Sequence, residues 1–222
     1  MKKHTLLSDL AVFLLIIFLF IVPPFFVISP PAEGSLFSLW SFPWYQLLLA
    51  LLSAALLFFY YEKSSKRTLV IFPVLFTFGM LFAVSLFCRF LSEIFSGNES
   101  AVRLDASSVN HPEGFLQWSF CLINFFCAAF YEEVLYRFYI SDALLSLISR
   151  KQNFRSTRLL WLFCEVLGLL CFAFAHLYLG WISVLNAALA HVFLRLCYKR
   201  FEKLWPCVVS HFIYNVISLI LL

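Results

Sequence analysis

The sequence predicts an all-α fold, in which about seven apolar helices form a polytopic transmembrane bundle. Of the 222 residues, 63% are hydrophobic and only 13% are charged, which is far more apolar than a soluble globular domain. Seven stretches approach the length of about 20 apolar residues that a helix needs to cross a hydrocarbon core of about 30 Å. The loops between them are alternately rich and poor in basic residues, as expected when cytoplasmic and external loops alternate.

The predicted spans follow one another along the whole chain. They cover residues 6–28, 43–61, 68–95, 115–140, 158–179, 181–198 and 204–222. Pro23 and Pro24 should kink or end the first span because proline lacks an amide hydrogen, and Pro206 suits the opening turn of the last. Residues 141–149 are predicted to continue the fourth helix or to lie at the interface. Because no soluble segment or repeat is evident, residues 1–222 are predicted to form a single membrane domain.

Basic residues mark one side of the predicted bundle. The clusters on alternate connections are Lys2 and Lys3, then Lys63, Lys66 and Arg67, then Arg150, Lys151, Arg155 and Arg158, and finally Lys199, Arg200 and Lys203. Because positive charge collects in cytoplasmic loops, the amino terminus is predicted to be cytoplasmic. The small size and short loops favour a bacterial cytoplasmic membrane. The net charge of +4 is therefore a topology signal, which predicts membrane lipid as a partner and no nucleic acid.

Three charges lie inside the fourth predicted span, in the stretch Tyr-Glu-Glu-Val-Leu-Tyr-Arg from residue 131 to 137. Each charge near a bilayer centre costs at least about 2.5 to 3.5 kcal/mol, so such charges pair, face a cavity or take part in chemistry. Glu133 and Arg137 are one helical turn apart and should form an ion pair. Glu132 points to a different side of the helix and has no partner there, which suits a general base. An interhelical salt-bridge network is the alternative explanation for the three charges.

Two further predicted spans carry polar side chains. The fifth ends with Phe172 and His176, and the seventh places His211 and Asn215 one turn apart on one face. A single histidine in a span is more often a packing residue than a ligand. Together with Glu132, however, these groups predict a convergent polar site formed by three helices.

Two chemistries fit this polar site. In the first, Glu132 and His176 hold and deprotonate a water molecule. His211 and Asn215 then donate hydrogen bonds to the oxyanion that forms on a peptide carbonyl. In the second, Glu132, His176 and His211 bind Zn²⁺ as a His₂Glu site with an open position for water. The chain lacks the HExxH and GxSxG motifs, which disfavours a soluble-type zinc protease and a serine intramembrane protease but leaves these two chemistries open.

Three motifs in order resemble those of a known family of intramembrane proteases. They are EExxxR at Glu132, Glu133 and Arg137, FxxxH at Phe172 and His176, and HxxxN at His211 and Asn215. The set is similar to that of the type II CAAX prenyl endoproteases and bacteriocin-processing enzymes, which are called the CPBP or Abi family. The resemblance covers residues 115–222, and this part of the chain is therefore predicted to be the protease core.

The resemblance also implies roles for the matching residues and a fold of membrane helices. The family is commonly labelled as metalloproteases, which keeps Zn²⁺ as a predicted cofactor. The implied roles are water activation for Glu132 and His176, an oxyanion hole for His211 and Asn215, and support of the site for Glu133, Arg137 and Phe172.

The predicted function is that of an intramembrane endopeptidase. Its substrate would be a membrane-associated protein or peptide, either prenylated or not. The alternative is a non-catalytic membrane protein that uses the same polar cluster for binding, immunity or transport. Transport is disfavoured because the chain has only six glycines and no evident internal symmetry.

Two features complicate this prediction. His191 and Arg195 lie one turn apart in the sixth span, where many bacterial members of the family have small residues. Either Arg195 reaches the inner surface or pairs with Glu165, or His191 joins the active site. Counting about 1.5 Å per residue from the basic side places Glu132 roughly 10 to 12 Å deep but His176 about 27 Å deep. The fifth helix should therefore tilt, start later or shift in register.

Overall fold

The computed structural model describes residues 5–26, 41–61, 71–95, 111–151 and 158–221. Within these ranges the chain forms helices and no strands, so the predicted all-α bundle is confirmed. The α-helices are α1 (Leu6–Ile16), α2 (Trp44–Tyr60), α3 (Ile71–Phe95), α4 (Gly114–Glu132), α5 (Ile140–Lys151), α6 (Arg158–Phe174), α7 (Trp181–Phe201) and α8 (Trp205–Leu221).

Short helical segments of other types extend or join some of these helices. A π-helical segment, Ile17–Ile21, and a 3-10 helix, Pro23–Phe26, follow α1, so regular α-helix ends ahead of the two prolines. A second π-helical segment, Glu133–Tyr139, joins α4 to α5 in one continuous helix. The described ranges therefore contain seven helical rods, in agreement with the seven predicted spans.

Several rods have the length and composition of membrane-spanning helices. The four that are long and apolar enough to cross a membrane are Leu6–Phe26, Ile71–Phe95, Gly114–Arg150 and Trp181–Phe201. Trp44–Tyr60 and Trp205–Leu221 are apolar but shorter. Large apolar side chains such as Phe58, Phe95 and Phe115 are exposed, which suits contact with lipid. The cytoplasmic amino terminus stays a prediction, because much of the loop charge on which it rests lies outside the described residues.

Three helix ends differ from the predicted span boundaries. The fourth rod continues past residue 140 through α5 to Lys151, which confirms the alternative that residues 141–149 continue the fourth helix, and α6 ends at Phe174 instead of residue 179. α7 extends to Phe201, past residue 198. The fourth rod continues because its polar residues contact protein: Asp142 lies 2.7 Å from the Lys199 ammonium and 2.9 Å from the Arg195 guanidinium.

The longer fourth rod removes the apparent difference in depth between Glu132 and His176. Glu132 lies 18 residues before Arg150, and His176 lies 18 residues after Arg158. Both are therefore about 27 Å along their helices from the connection between α5 and α6. The depth of 10 to 12 Å expected for Glu132 is wrong because the rod does not end at residue 140. The end of α7 lies closer to the bundle centre, since it contacts Asp142 near the start of α5.

The π-helical segment Glu133–Tyr139 forms the centre of the core. All seven of its residues are buried. Aromatic rings from the end of α2 and from α6 pack on it: the ring centres are 5.5 Å apart for Tyr60 and Tyr139, 5.5 Å for Tyr61 and Phe138, and 5.0 Å for Phe172 and Tyr136. Because protein surrounds this segment, its charged residues are separated from lipid and can pair with groups on other helices.

Gly168 allows α6 to lie close to the start of α5. A Cβ atom at position 168 would lie 2.5 Å from the Ser141 Oγ atom, and Ser141 is itself buried. We expect Gly168→Ala to lower the free energy of unfolding by about 1 to 3 kcal/mol through overpacking. Ser141→Ala in the same chain should restore stability, because it removes the clashing oxygen.

Thermal unfolding in detergent checks this prediction, with Gly79→Ala as the matched control. Gly79 lies in α3, and a Cβ atom there would meet nothing within 4 Å. Unchanged stability of Gly168→Ala, or failure of Ser141→Ala to restore it, would show that the close approach does not constrain the helices.

Candidate active site

The buried carboxylate of Glu133 joins two helices. Its Oε2 atom lies 3.1 Å from Arg137 Nε, and its Oε1 atom lies 2.9 Å from His211 Nδ1. The Glu133 and Arg137 side chains are both fully buried, so this ion pair is shielded from solvent. The pairing expected from their spacing is present. Both oxygens of Glu133 are therefore engaged, one by α8 and one by its own helix.

Glu132 differs from its neighbour in this respect. Its Oε2 atom is buried and has no hydrogen-bond partner among the described residues. The nearest cationic group to that oxygen is His211, whose Nε2 atom is 3.9 Å away. This distance is too long for a direct hydrogen bond but suits a water molecule shared by the two groups. Glu132 therefore has the free carboxylate oxygen that a general base requires.

His211 lies between the two glutamates. An ionised carboxylate accepts hydrogen bonds but cannot donate them, so the Nδ1–H group of His211 donates to Glu133. The opposite ring nitrogen, Nε2, faces Glu132. A carboxylate that fixes one ring nitrogen sets the orientation and tautomer of the imidazole, as in catalytic dyads of hydrolases. His211 therefore contacts Glu133 directly, which the sequence did not predict.

His176 is held by the backbone of its own helix. Its Nδ1 atom lies 2.9 Å from the Phe172 carbonyl oxygen, which can only accept, so Nδ1 donates, and in the neutral form of the ring the lone pair is on Nε2. The His176 ring also packs 4.8 Å from the Phe172 ring. Among the described residues, no hydrogen bond or ion pair joins His176 to Glu132.

The fourth and fifth rods run antiparallel, and their contacts lead towards Glu132 and His176. Gly168 lies against Ser141, and one turn further along α6 the Phe172 ring lies 5.0 Å from the Tyr136 ring. Continued for one more turn, this register leads to positions 132 and 176, although α6 itself ends at Phe174. The proximity of His176 to Glu132 therefore stays a prediction.

Asn215 and Phe172 complete the set of predicted site residues. Asn215 is half-buried and lies one turn beyond His211 on α8. Phe172 is buried and places its ring 4.1 Å from the centre of the Arg137 guanidinium, a cation–π contact. Phe172 thus connects the helix that carries His176 to the helix that carries Glu132.

Comparison with known proteins identifies the part of the chain that holds these groups. Residues 114–217 match the family model described as type II CAAX prenyl endopeptidase Rce1-like. This segment is an Rce1-like domain. All of the predicted site residues lie inside it, and the family expected from the three motifs is confirmed. No curated protein and no solved structure matches the chain.

The match of residues 114–217 to this family model supports a CAAX protease-like enzyme that acts within the membrane. The apolar rods that carry the Rce1-like domain agree with an integral membrane protein. The family match covers α4 to α8, including the π-helical segment, but not α1 to α3. The candidate active site therefore lies within the five α-helices that the family model covers, α4 to α8.

The donor groups of the Rce1-like domain do not form a metal site in this arrangement. Within the described residues, no three His, Cys, Asp or Glu side chains are gathered so that they could hold a metal ion. The Nδ1 atom of His211 is already engaged by Glu133. The predicted set of Glu132, His176 and His211 therefore does not fit Zn²⁺ as it is placed here. The cofactor stays a prediction.

Two residues of α7 contact the Rce1-like site in a way that the sequence left open. Arg195 pairs with Glu165, with Nη2 and Oε1 2.6 Å apart, which is one of the two expected alternatives. His191 places Nδ1 2.9 Å from Arg137 Nη1, so it also joins the polar core. The sequence signal for these two contacts is that His191 and Arg195 are one helical turn apart. Asp142 is a second acidic partner of Arg195, and the sequence gives no comparable spacing signal for it.

Proposed function

We propose that the Rce1-like domain is an intramembrane endopeptidase that hydrolyses a peptide bond with water activated at Glu132. The substrate would be a membrane-associated protein or peptide. One observation carries this proposal: Glu132 Oε2 is buried, lacks a hydrogen-bond partner among the described residues, and lies 3.9 Å from His211 Nε2. Glu133, in contrast, forms a 3.1 Å ion pair with Arg137 through Oε2 and a hydrogen bond with His211 through Oε1. The two adjacent glutamates therefore suit different tasks.

Glu132 acts as the general base in the proposed reaction. It takes a proton from water as the water oxygen bonds to the carbonyl carbon of the peptide, and the carbonyl oxygen becomes an oxyanion. The same carboxyl group then gives the proton to the amide nitrogen as the carbon–nitrogen bond breaks. His176 offers its Nε2 lone pair as a second acceptor that orients the water. Positioned bases of this kind typically accelerate reactions by about 10²- to 10⁴-fold.

His211 and Asn215 stabilise the oxyanion in this proposal. Glu133 accepts a hydrogen bond from the Nδ1–H group of His211. With a second proton on Nε2, the ring is a cation whose charge Glu133 balances. The Asn215 amide supplies a second donor one turn away on α8. Each preorganised donor to an oxyanion is worth about 10²- to 10³-fold in kcat. The burial of this region increases the strength of such interactions because the local dielectric constant is low.

A cleavage assay with the reconstituted full-length chain tests the proposal. Membrane-anchored peptides with a carboxyl-terminal CAAX sequence would be offered in farnesylated and unmodified form, and the products would be identified by mass spectrometry. We expect a defined cleavage by the wild-type protein. Comparison of the two peptide forms shows whether an isoprenoid group is recognised. Equal product formation by wild type and Glu132→Gln would reject the proposed function.

The same assay tests the predicted metal requirement. The protein is incubated with 1,10-phenanthroline or EDTA before the substrate is added, and Zn²⁺ is returned to one sample. If side chains alone catalyse the hydrolysis, chelation should leave the cleavage rate unchanged. A rate that falls with chelator and recovers with Zn²⁺ would show that Glu132, His176 and His211 rearrange to bind metal.

A further inference from the structure

The guanidinium of Arg137 is held on three sides inside the core. Nε lies 3.1 Å from Glu133 Oε2, Nη1 lies 2.9 Å from His191 Nδ1, and the guanidinium carbon lies 4.1 Å from the centre of the Phe172 ring. An arginine side chain only donates hydrogen bonds, so His191 Nδ1 must be the acceptor. The His191 ring is therefore neutral, with its proton on Nε2. His191 is 2% exposed, so solvent does not compete for this contact.

Arg195 acts one turn further along α7, on the backbone of the same segment. Its Nη1 group donates to the carbonyl oxygen of Arg137. Its Nε and Nη2 groups lie 2.7 and 2.6 Å from the two oxygens of Glu165, and Nη2 also lies 2.9 Å from Asp142. The bidentate contact fixes the plane of the Arg195 guanidinium. A rigid donor from α7 therefore contacts the π-helical segment.

A π-helical segment benefits from such a donor. Ile140 donates its amide to Leu135, five residues back, whereas α-helical pairing reaches four residues back. The change between π and α pairing disturbs the regular order of backbone hydrogen bonds in this segment. Arg195 adds a side-chain hydrogen bond to one of its carbonyl oxygens, that of Arg137. The unusual helix that separates Glu132 from Arg137 is thus supported from α7.

These contacts form a chain that reaches the proposed catalytic groups. His191 fixes Arg137, Arg137 fixes one oxygen of Glu133, and the other oxygen of Glu133 fixes His211. At the end of this series of contacts, the Nε2 atom of His211 lies 3.9 Å from Glu132 Oε2. Resting on the function proposed above, we propose that His191 and Arg195 are positioning residues of the protease. His191 orients the Arg137 guanidinium, and Arg195 holds the backbone that carries it.

Three variants at position 191 test the role of the Nδ1 acceptor. Asn places its side-chain oxygen near the position of Nδ1 and can accept from Arg137, whereas the oxygen of Gln extends towards the position of Nε2. Phe keeps the ring but removes both nitrogens. We expect His191→Phe and His191→Gln to lower kcat by about 10- to 100-fold with little change in KM, as for other residues that orient catalytic groups. His191→Asn should keep kcat within about threefold of wild type.

The comparison of Asn with Gln decides the outcome even if His191→Phe fails to fold. Equal kcat values for His191→Asn and His191→Gln, whether high or low, would overturn the inference. Val192→Phe is the matched control because Val192 is 39% exposed on the same helix. It should keep wild-type kinetics. Thermal unfolding of each variant separates a loss of positioning from a loss of fold.

Arg195→Lys tests the second half of the inference. Lysine keeps the positive charge but cannot contact Glu165 with two parallel hydrogen bonds while it donates to the Arg137 carbonyl. We expect a fall in kcat of about 10-fold with KM retained. Wild-type kcat in Arg195→Lys would overturn the role of Arg195. If Glu132→Gln is inactive while His191→Phe, His191→Gln and Arg195→Lys are fully active, only this inference fails. If Glu132→Gln is active, the proposed function fails.

Discussion

Replacement of Glu132 by Gln is expected to lower kcat by about 10²- to 10⁴-fold, with KM close to that of the wild type. The amide has the size of the carboxylate but cannot accept the proton of water. Glu132 Oε2 has no hydrogen-bond partner among the described residues and its contact with His211 Nε2 is 3.9 Å long, so the substitution breaks no direct hydrogen bond at that oxygen. The variant should therefore unfold at a temperature equal to or above that of the wild type.

Glu133→Gln is the matched comparison for Glu132→Gln. It alters a fully buried carboxylate that contacts both Arg137 and His211, so it should lower stability as well as kcat. Kinetics in proteoliposomes and thermal unfolding in detergent separate the two patterns. A Glu132→Gln variant with wild-type kcat, or one that loses activity only in proportion to its stability, would contradict the role of Glu132 as the base.

Replacement of Arg137 by Met is expected to lower the free energy of unfolding by about 3 to 5 kcal/mol. The Glu133 carboxylate would then be buried without its cation, and His191 would lose its donor. Met retains much of the apolar volume, so the effect arises mainly from the unpaired charge. Denaturant titration in mixed micelles measures it. Activity should also fall, because Glu133 would no longer hold His211 in place.

A double variant and an exposed ion pair serve as controls for Arg137→Met. Glu133→Gln combined with Arg137→Met removes the unpaired charge and should recover part of the stability but not the activity. Arg89 and Glu93 on α3 have the same spacing of four residues, yet their side chains are 52% and 69% exposed. Arg89→Met should cost less than about 1 kcal/mol. Equal losses for Arg89→Met and Arg137→Met would show that burial of the pair does not matter.

The helical rods and the family could be predicted because both depend on local sequence patterns. The length of each apolar stretch determines whether a helix can cross the membrane. The spacing of four residues puts Glu133 beside Arg137 in the structure as it does on a helical wheel. The three motifs likewise read correctly without coordinates, and residues 114–217 match the family that they indicate. None of these features requires knowledge of contacts between distant residues.

The π-helical segment could not be predicted in this way, and the sequence left open whether residues 141–149 continue the fourth helix or lie at the interface. The structure shows the continuation, in which Lys199 and Arg195 from α7 pair with Asp142. The regular 100° per residue of an α-helix is also not kept through Glu133–Tyr139, where the pairing is π-helical, although the Glu133–Arg137 pair within it still forms. For these reasons the close contact of His211 with Glu133 was missed. All of these features depend on tertiary contacts.

The rate at which ¹⁸O from water enters the new carboxylate of the cleaved peptide tests water activation at Glu132 most directly. Wild type and Glu132→Gln would be compared in the same liposomes, with the product analysed by mass spectrometry. We expect one ¹⁸O atom in each wild-type product molecule and labelled product about 10²- to 10⁴-fold more slowly from Glu132→Gln. Labelled product at the wild-type rate from Glu132→Gln would contradict water activation at Glu132.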